Sequence, residues 1–125
     1  MIGIEEVEKI HDILIERFGG AKGIRDNGSL DAALGRPYQT FDGQELYPHP
    51  VDKAAAIFES IISNHPFIDG NKRTAYVLMR LILLENRHDI DAGQEEKFEF
   101  VIKAARGELS FDEIKAWIER HLSLK

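Results

Sequence analysis

The sequence predicts an all-α fold: a single compact bundle of about six helices that spans residues 1–125 as one domain. Of the 125 residues, 43% are hydrophobic, which is enough for one core but not for two independently stable domains. Apolar side chains recur three or four positions apart along most of the chain, and Gly and Pro separate these periodic segments. Alternating strand patterns are nearly absent, so helices are favoured throughout.

The first two helices are predicted before residue 35. Apolar residues within positions 4–18 share one helical face, and the pair Gly19-Gly20 is expected to end this helix. Residues 26–28, Asp-Asn-Gly, are typical of a turn. We expect Ser29 to act as the N-cap of a short second helix that runs through Leu34.

A segment rich in proline and aromatic residues follows, from position 35 to position 50. It is expected to form a long loop or a short hairpin, because proline and glycine interrupt any longer element. Its aromatic side chains are expected to be exposed and to offer a surface to a partner protein. These side chains are Tyr38, Phe41 and Tyr47.

Two central helices are predicted next. Residues 51–64 carry one apolar stripe, and Pro66 is expected to end this helix because the residue before a proline avoids the right-handed helical region. After a six-residue loop, the next helix begins at Asn71 and is apolar almost all the way round. A helix of this kind is buried on most sides, so we expect it to run through the centre of the fold.

Capping patterns predict the last two helices. Asp91 with Gln94 is expected to cap the fifth helix, and Ser110 with Glu113 forms a capping-box pattern before the sixth. The sixth helix is expected to include Leu122.

Composition restricts the function classes. The net charge of −6 argues against a protein that coats nucleic acid, and the absence of cysteine excludes a disulfide framework, a thiolate zinc site and a cysteine nucleophile. The first residues lack the pattern of a signal peptide, and no apolar run reaches the ~18 residues of a membrane span. We therefore expect a cytoplasmic protein that binds no membrane and makes no direct contact with nucleic acid.

The loop between the two central helices carries the residues that are suited to catalysis and ligand binding. His65 belongs to the residue type that most often serves as a general base, and Asp69 offers the type of oxygen ligand that Mg²⁺ prefers. Gly70 allows close approach of the backbone, and the first N–H groups of the following helix favour an anion. Lys72 and Arg73 lie where cations are unfavourable beside the helix dipole, a conflict that an anion would resolve. Together these parts indicate phosphoryl or nucleotidyl transfer.

The run His65-Pro66-Phe67-x-Asp69-Gly70-Asn71-x-Arg73 resembles the signature of the Fic/Doc family, whose members use a nucleotide to modify a protein hydroxyl. The resemblance extends over nearly the whole chain. Several segments are similar in order and spacing to the death-on-curing (Doc) toxins: residues 18–20, 23–26 and 30–34, and the aromatic stretch through positions 47–48.

This resemblance implies a role for each residue of the loop. It implies that His65 is the catalytic base, that Asp69 contacts Mg²⁺ and that Phe67 anchors the loop in the core. It further implies that a catalytic and nucleotide-binding cradle holds the phosphates of ATP, formed by Gly70, Asn71, Lys72 and Arg73.

Two chemistries remain open within the family. Members that transfer AMP typically have glycine at the position of Lys72 and arginine at that of Tyr76, whereas the Doc branch shares Asn-Lys-Arg with this chain. The Doc resemblance implies transfer of the γ-phosphate of ATP to a threonine of elongation factor Tu, which stops translation. Gly70, however, resembles the AMP-transferring members. No Ser/Thr-x-x-x-Glu inhibitory pattern occurs in the chain, so restraint is expected from a separate antitoxin protein.

Other interpretations are weaker. The segment Gly70–Thr74 resembles the end of a P-loop, but Asn71 separates the glycine from the lysine and no strand precedes it. The dipeptides His11-Asp12 and His88-Asp89 suggest a metal-dependent phosphohydrolase, although we expect both to be ordinary helix-end residues. We expect His49 and His121 to be surface residues without partners.

A non-enzymatic interaction module, acting through the aromatic surface of residues 38–47, also remains open.

Overall fold

A computed structural model describes residues 2–124, and six α-helices make up most of it. They are α1 (Ile4–Phe18), α2 (Asn27–Gly35), α3 (Pro50–Asn64), α4 (Asn71–Glu85), α5 (Gln94–Ala105) and α6 (Phe111–Arg120). A short 3₁₀ helix (Arg36–Tyr38) and two antiparallel ribbons complete it: β1 (Thr40–Phe41) with β2 (Gln44–Glu45), and β3 (His88–Ile90) with β4 (Leu122–Leu124). The prediction of an all-α fold with six helices is confirmed.

Helices α3 and α4 form the centre of the fold. They pack along each other, α3 also packs against α2, α5 and α6, and α1 lies against α4. The apolar stripe predicted for α3 is buried throughout, and α4 buries residues on several sides, including Leu78, Met79 and Ile82. Burial of each such side chain stabilises the fold by about 1.5–3 kcal/mol. The central pair is therefore the rigid support on which the loop between α3 and α4 rests.

None of the helices within residues 2–124 combines the length and the apolar character that a bilayer crossing requires.

Two helix caps differ from the sequence predictions, and one agrees. Helix α2 begins at Asn27, and its N-cap is Asp26, whose carboxylate accepts from the N–H of Ser29 at 3.0 Å, so the predicted Ser29 cap was wrong. Asp26 and Ser29 are both strong caps, and the earlier one prevails because the residues between them adopt helical geometry. The capping box of α6 is confirmed: Ser110 Oγ accepts from the N–H of Glu113 at 3.2 Å.

Helix α5 is capped by Gly93, whose N–H donates to the side chain of Glu96 at 3.3 Å. The predicted cap by Asp91 and Gln94 was wrong, because the N–H of Asp91 instead donates to the carbonyl of His121 at 2.8 Å. Asp91 thus belongs to the connection beside the β3–β4 ribbon.

The chain after α6 returns to the end of α4. Leu122 lies in β4, not in the sixth helix as predicted, and pairs with Ile90 of β3. Beside this ribbon, Arg80 of α4 makes a bidentate salt bridge to the buried Asp89, with both N–O distances at 2.8 Å. Strands of three residues are too short to show a period of two, which is why the pattern missed them.

The segment before α3 forms a short hairpin, one of the two forms predicted. Phe41 at its tip is 75% exposed, as expected, whereas Tyr38 is half-buried beside Lys53, so the expectation of an exposed side chain was wrong for Tyr38. Tyr47 differs from the expectation of an exposed side chain: its hydroxyl accepts from Arg36 Nε at 3.1 Å and its ring lies 5.5 Å from that of Phe111. Tyr47 therefore attaches the base of the hairpin to the helical body.

Candidate active site

Six residues, 65–70, connect α3 to α4, which is the loop length that the sequence predicted. His65 follows the last residue of α3 in the left-handed conformation, with φ 49° and ψ 60°, and its side chain is exposed. Pro66 disfavours the right-handed region for His65, so the helix ends there and the chain turns away. An exposed imidazole at the start of the loop is accessible to a substrate.

Phe67 anchors the middle of the loop, since its side chain is 1% exposed and its backbone forms an isolated antiparallel bridge with Ile24. The side chain of Asn71 bonds the Phe67 backbone twice: its Oδ1 accepts from Phe67 N–H and its Nδ2 donates to Phe67 O, both at 3.0 Å. The Asn71 side-chain amide is therefore engaged within the loop, where it braces the Phe67 backbone against the start of α4.

The segment before α2 clamps the outer side of the loop. Arg25 donates through Nε to the carbonyl of His65 and through Nη2 to the carbonyl of Asn64, both at 2.7 Å. The N–H of Ile68 donates to the carbonyl of Gly23 at 3.0 Å. The sequence interpretation assigned Arg25 no role, and its contacts lie about forty residues away along the chain.

Asp69 occupies the exposed turn of the loop. Its Oδ1 accepts from the N–H of Gly70 at 2.9 Å, and its Oδ2 accepts from the N–H of Ala21 at 3.2 Å. A Cβ built at Gly20 would lie 2.7 Å from Oδ2, so only glycine lets the carboxylate rest against this segment. The chain from Gly19 to Gly23 thus holds the carboxylate in place.

The residues present fit a phosphate-bound Mg²⁺ and do not form an independent metal centre. Within residues 2–124, no group of three or more His, Asp or Glu side chains lies close enough to hold a metal ion. Mg²⁺ commonly takes one or two carboxylates and completes its shell with phosphates and water. The exposed Asp69 carboxylate meets that requirement only together with a phosphorylated ligand.

The N-terminus of α4 is open toward solvent. Gly70 caps it with φ 73° and provides no side chain, and the first intrahelical donor is the N–H of Thr74, bonded to Gly70 O at 3.0 Å. The N–H groups of residues 71–73 precede that donor and are available to an anion. The side chains of Lys72 and Arg73 are exposed beside them. This arrangement has the properties of a phosphate site.

A cleft of about 550 Å³ adjoins the cations, between α1, α4 and α5. Its lining combines apolar and cationic side chains, among them Phe18, Lys72, Arg73, Tyr76 and Lys97. The guanidinium of Arg73 lies 4.4 Å from the centre of the Phe18 ring, and this contact holds it near the mouth of the cleft.

His11 contacts the loop from inside the fold, and the sequence interpretation missed it. The expectation of a helix-end residue was wrong: His11 lies within α1, is 1% exposed, and places Nε2 2.7 Å from the carbonyl oxygen of Asp69. Its ring stacks on Phe67 with centroids 4.0 Å apart. The available signal was its position between Val7 and Ile15 on the buried stripe, where a histidine requires a partner.

The remaining histidine predictions have separate outcomes. His49 is exposed, as expected, but it is the N-cap of α3 and its backbone N–H donates to Asp52 Oδ2 at 3.2 Å, so the expectation that it lacks partners was wrong. His88 and Asp89 lie in β3, so the expectation of helix-end residues was wrong for this dipeptide too. They lie beyond the opposite end of α4, about 20 Å from the loop, so the two His-Asp dipeptides do not converge.

His121 was wrongly expected to lack partners: Nδ1 is 2.8 Å from Trp117 O and Nε2 is 3.0 Å from Glu96 Oε2. Burial lowers the pKa of His121, but these hydrogen bonds outweigh burial and raise it above the ordinary value.

Comparison with known proteins shows the family. A sequence model of the Fic/DOC family matches residues 2–83, and the chain belongs to this family. Toxin Doc of Mycolicibacterium smegmatis is 52% identical over 59 residues, which are 47% of this chain and 45% of that relative. Protein kinase doc of Escherichia phage P1 is 29% identical over 119 residues, which are 95% of this chain and 93% of that relative. The resemblance to the Doc branch is thereby confirmed.

Proposed function

We propose that this chain is the toxin of a toxin–antitoxin pair and transfers the γ-phosphate of ATP to a hydroxyl group of a translation factor. The observation that carries the proposal is the geometry of the loop, which presents an exposed base, an exposed carboxylate and an open helix N-terminus within nine residues. The names of the two relatives, a toxin and a protein kinase, support the same activity. The proposed substrate is a threonine of elongation factor Tu in the cytoplasm.

Each residue of the loop has its own role in the proposed reaction. His65 accepts the proton of the attacking hydroxyl, whose oxygen forms a bond to the γ-phosphorus. The bond from that phosphorus to its bridging oxygen breaks, and ADP leaves with the electron pair. The N–H groups at the start of α4, with Lys72 and Arg73, bind the phosphate oxygens as negative charge shifts toward ADP.

Asp69 is the proposed ligand of Mg²⁺, which would neutralise phosphate charge when bound. The carboxylate is already held by the N–H groups of Gly70 and Ala21, so it requires little reorganisation to bind the ion. Phe67 holds the loop in position, because its ring is buried beneath the site.

AMP transfer is the second candidate, and Gly70 favours it through its resemblance to AMP-transferring members. Lys72 and Tyr76 favour phosphate transfer. Burial raises the pKa of Tyr76 to about 12, so this side chain is neutral where AMP-transferring members have a second cation. We expect the Lys72 ammonium to favour the orientation that places the γ-phosphate beside His65.

Incubation of the purified protein with Mg·ATP and a bacterial lysate tests the proposal. Intact-mass measurement of the modified protein distinguishes an increment of about 80 Da for phosphate from about 329 Da for AMP. The His65→Ala variant is the control, because a protein that acts only as an interaction module through Phe41 and its neighbours would keep its cellular toxicity without the base. Growth arrest by that variant, with no modified protein, would contradict the enzymatic proposal. Co-purification with a protein that restores growth would identify the proposed antitoxin partner.

A further inference from the structure

His11 is a buried imidazole that has no part in the chemistry described above. It lies on the apolar face of α1, in line with Val7 and Ile15, and is 1% exposed. Burial of a polar ring costs free energy unless it forms a hydrogen bond. Its Nε2 forms one with the carbonyl oxygen of Asp69 at 2.7 Å, and because a carbonyl only accepts, Nε2 carries the proton and donates.

This hydrogen bond determines the orientation of one peptide unit. The peptide between Asp69 and Gly70 is trans, so its C=O and N–H point in opposite directions. With the carbonyl directed to His11 inside the fold, the N–H of Gly70 is directed outward, where it donates to Asp69 Oδ1 at 2.9 Å. The imidazole therefore acts on the carboxylate through the backbone.

Close packing keeps the peptide in this position. A Cβ built on Gly70 would lie 3.0 Å from Ile15 Cδ1 and 3.5 Å from His11 Nε2, so α1 lies directly against the loop. The His11 ring also stacks on Phe67, with an angle of 7° between the two planes. The imidazole thus contacts the loop through a ring face and through a donor, and the two contacts are separable by substitution.

We propose that His11 is a positioning residue that orients the Asp69–Gly70 peptide and thereby places the Asp69 carboxylate and the start of α4 for Mg·ATP. The inference rests on the proposed function, because it concerns the same nucleotide site. It adds a residue of α1 whose side chain is buried beneath the loop and acts through the Asp69 carbonyl.

Two variants separate the two contacts. His11→Phe keeps an aromatic ring against Phe67 and removes the donor, whereas His11→Gln keeps an amide donor of similar reach and removes the ring. Val7→Ala is the matched control, since Val7 lies one turn earlier on the same buried face and belongs to the core. Asp69→Asn is the reference for loss of the proposed metal ligand.

The experiment measures ATP binding by calorimetry at a series of Mg²⁺ concentrations. We expect His11→Phe to raise the half-saturating Mg²⁺ concentration about tenfold or more, in the direction of Asp69→Asn, and His11→Gln to raise it less. Val7→Ala lowers the thermal midpoint and leaves this concentration unchanged. In ¹H–¹⁵N spectra, the Gly70 amide resonance shifts in His11→Phe and keeps its position in Val7→Ala.

An unchanged Mg²⁺ dependence together with an unmoved Gly70 resonance in His11→Phe would overturn the inference. If that variant does not fold, His11→Asn replaces it with the same expectations, because its amide is too short to reach the carbonyl. Binding of Mg·ATP by the wild-type protein without modification of any protein would overturn the proposed function alone. If the wild-type protein binds no ATP, the Gly70 resonance still decides whether His11 orients the peptide.

Discussion

The guanidinium of Arg25 bonds the backbone at the point where the proposed base emerges from α3, since its Nε donates to the carbonyl of His65 at 2.7 Å. The same side chain reaches the carbonyl of Asn64 through Nη2. Two donors of one planar group thus fix the last turn of α3 and the left-handed residue that follows it. The direction of the His65 side chain depends on this backbone, so a residue distant in sequence determines where the base points.

Replacement of Arg25 by lysine is expected to reduce turnover about 10-fold to 100-fold and to leave Mg·ATP binding nearly unchanged. Lysine keeps the charge but cannot hold two carbonyls with one planar group. Steady-state kinetics, with ATP affinity measured separately, check this expectation. Lys22→Arg serves as the control, because the Lys22 ammonium pairs with the exposed Glu16 and arginine keeps that charge. If Arg25→Lys lost ATP affinity and turnover to the same extent, the conclusion that Arg25 acts only through His65 would be contradicted.

Alanine substitutions at Gly19 and Gly20 form a matched pair that tests whether the position of the Asp69 carboxylate matters. Both have positive φ, 92° and 115°, so alanine at either position is expected to lower the free energy of unfolding by about 1–2 kcal/mol. Only at Gly20 does an added Cβ meet Asp69 Oδ2, whereas nothing lies within 4 Å at Gly19. Gly20→Ala is therefore expected to weaken Mg·ATP binding and Gly19→Ala to preserve it. Similar binding by both variants, measured by calorimetry, would show that the carboxylate position is unimportant.

The contact between His121, at the end of α6, and Glu96 of α5 predicts a small dependence of stability on pH. The folded-state pKa of His121 is raised above the ordinary 6.5, so its stabilisation is complete below that value and is lost as pH rises through the folded-state pKa. Because the Glu96 side chain is 60% exposed, solvent screens the pair and the loss of stability above the ordinary pKa is small. Denaturant unfolding of the wild type and of Glu96→Gln checks this loss. If the stability of Glu96→Gln falls by the same amount as the pH rises, the contact between His121 and Glu96 is not the cause of the pH dependence.

The sequence predicted the parts of the site that depend on local geometry. Pro66 and Gly70 act on their immediate neighbours, which is why the end of α3, the six-residue loop and the start of α4 were all correct. Phe67 was expected to be buried because of its place in the family motif, and it is buried.

The contacts that hold the site in place were not predictable in the same way. His11 and Asp69 are 58 residues apart, and Arg25 and His65 are 40 apart, so no local period connects them. A histidine on an apolar stripe signals that a partner exists but not which one. The same limit applies to Tyr47, whose burial depends on Phe111 of α6.

Transfer of label from ATP marked at either the γ- or the α-phosphate tests the central claim most directly. The account predicts that the wild-type protein moves only γ-label to its protein substrate, and that His65→Ala reduces this transfer by about 10²–10⁴-fold while ATP binding persists. Incorporation of α-label would contradict phosphate transfer and establish the AMP alternative. Undiminished transfer of γ-label by His65→Ala would contradict the assignment of His65 as the base.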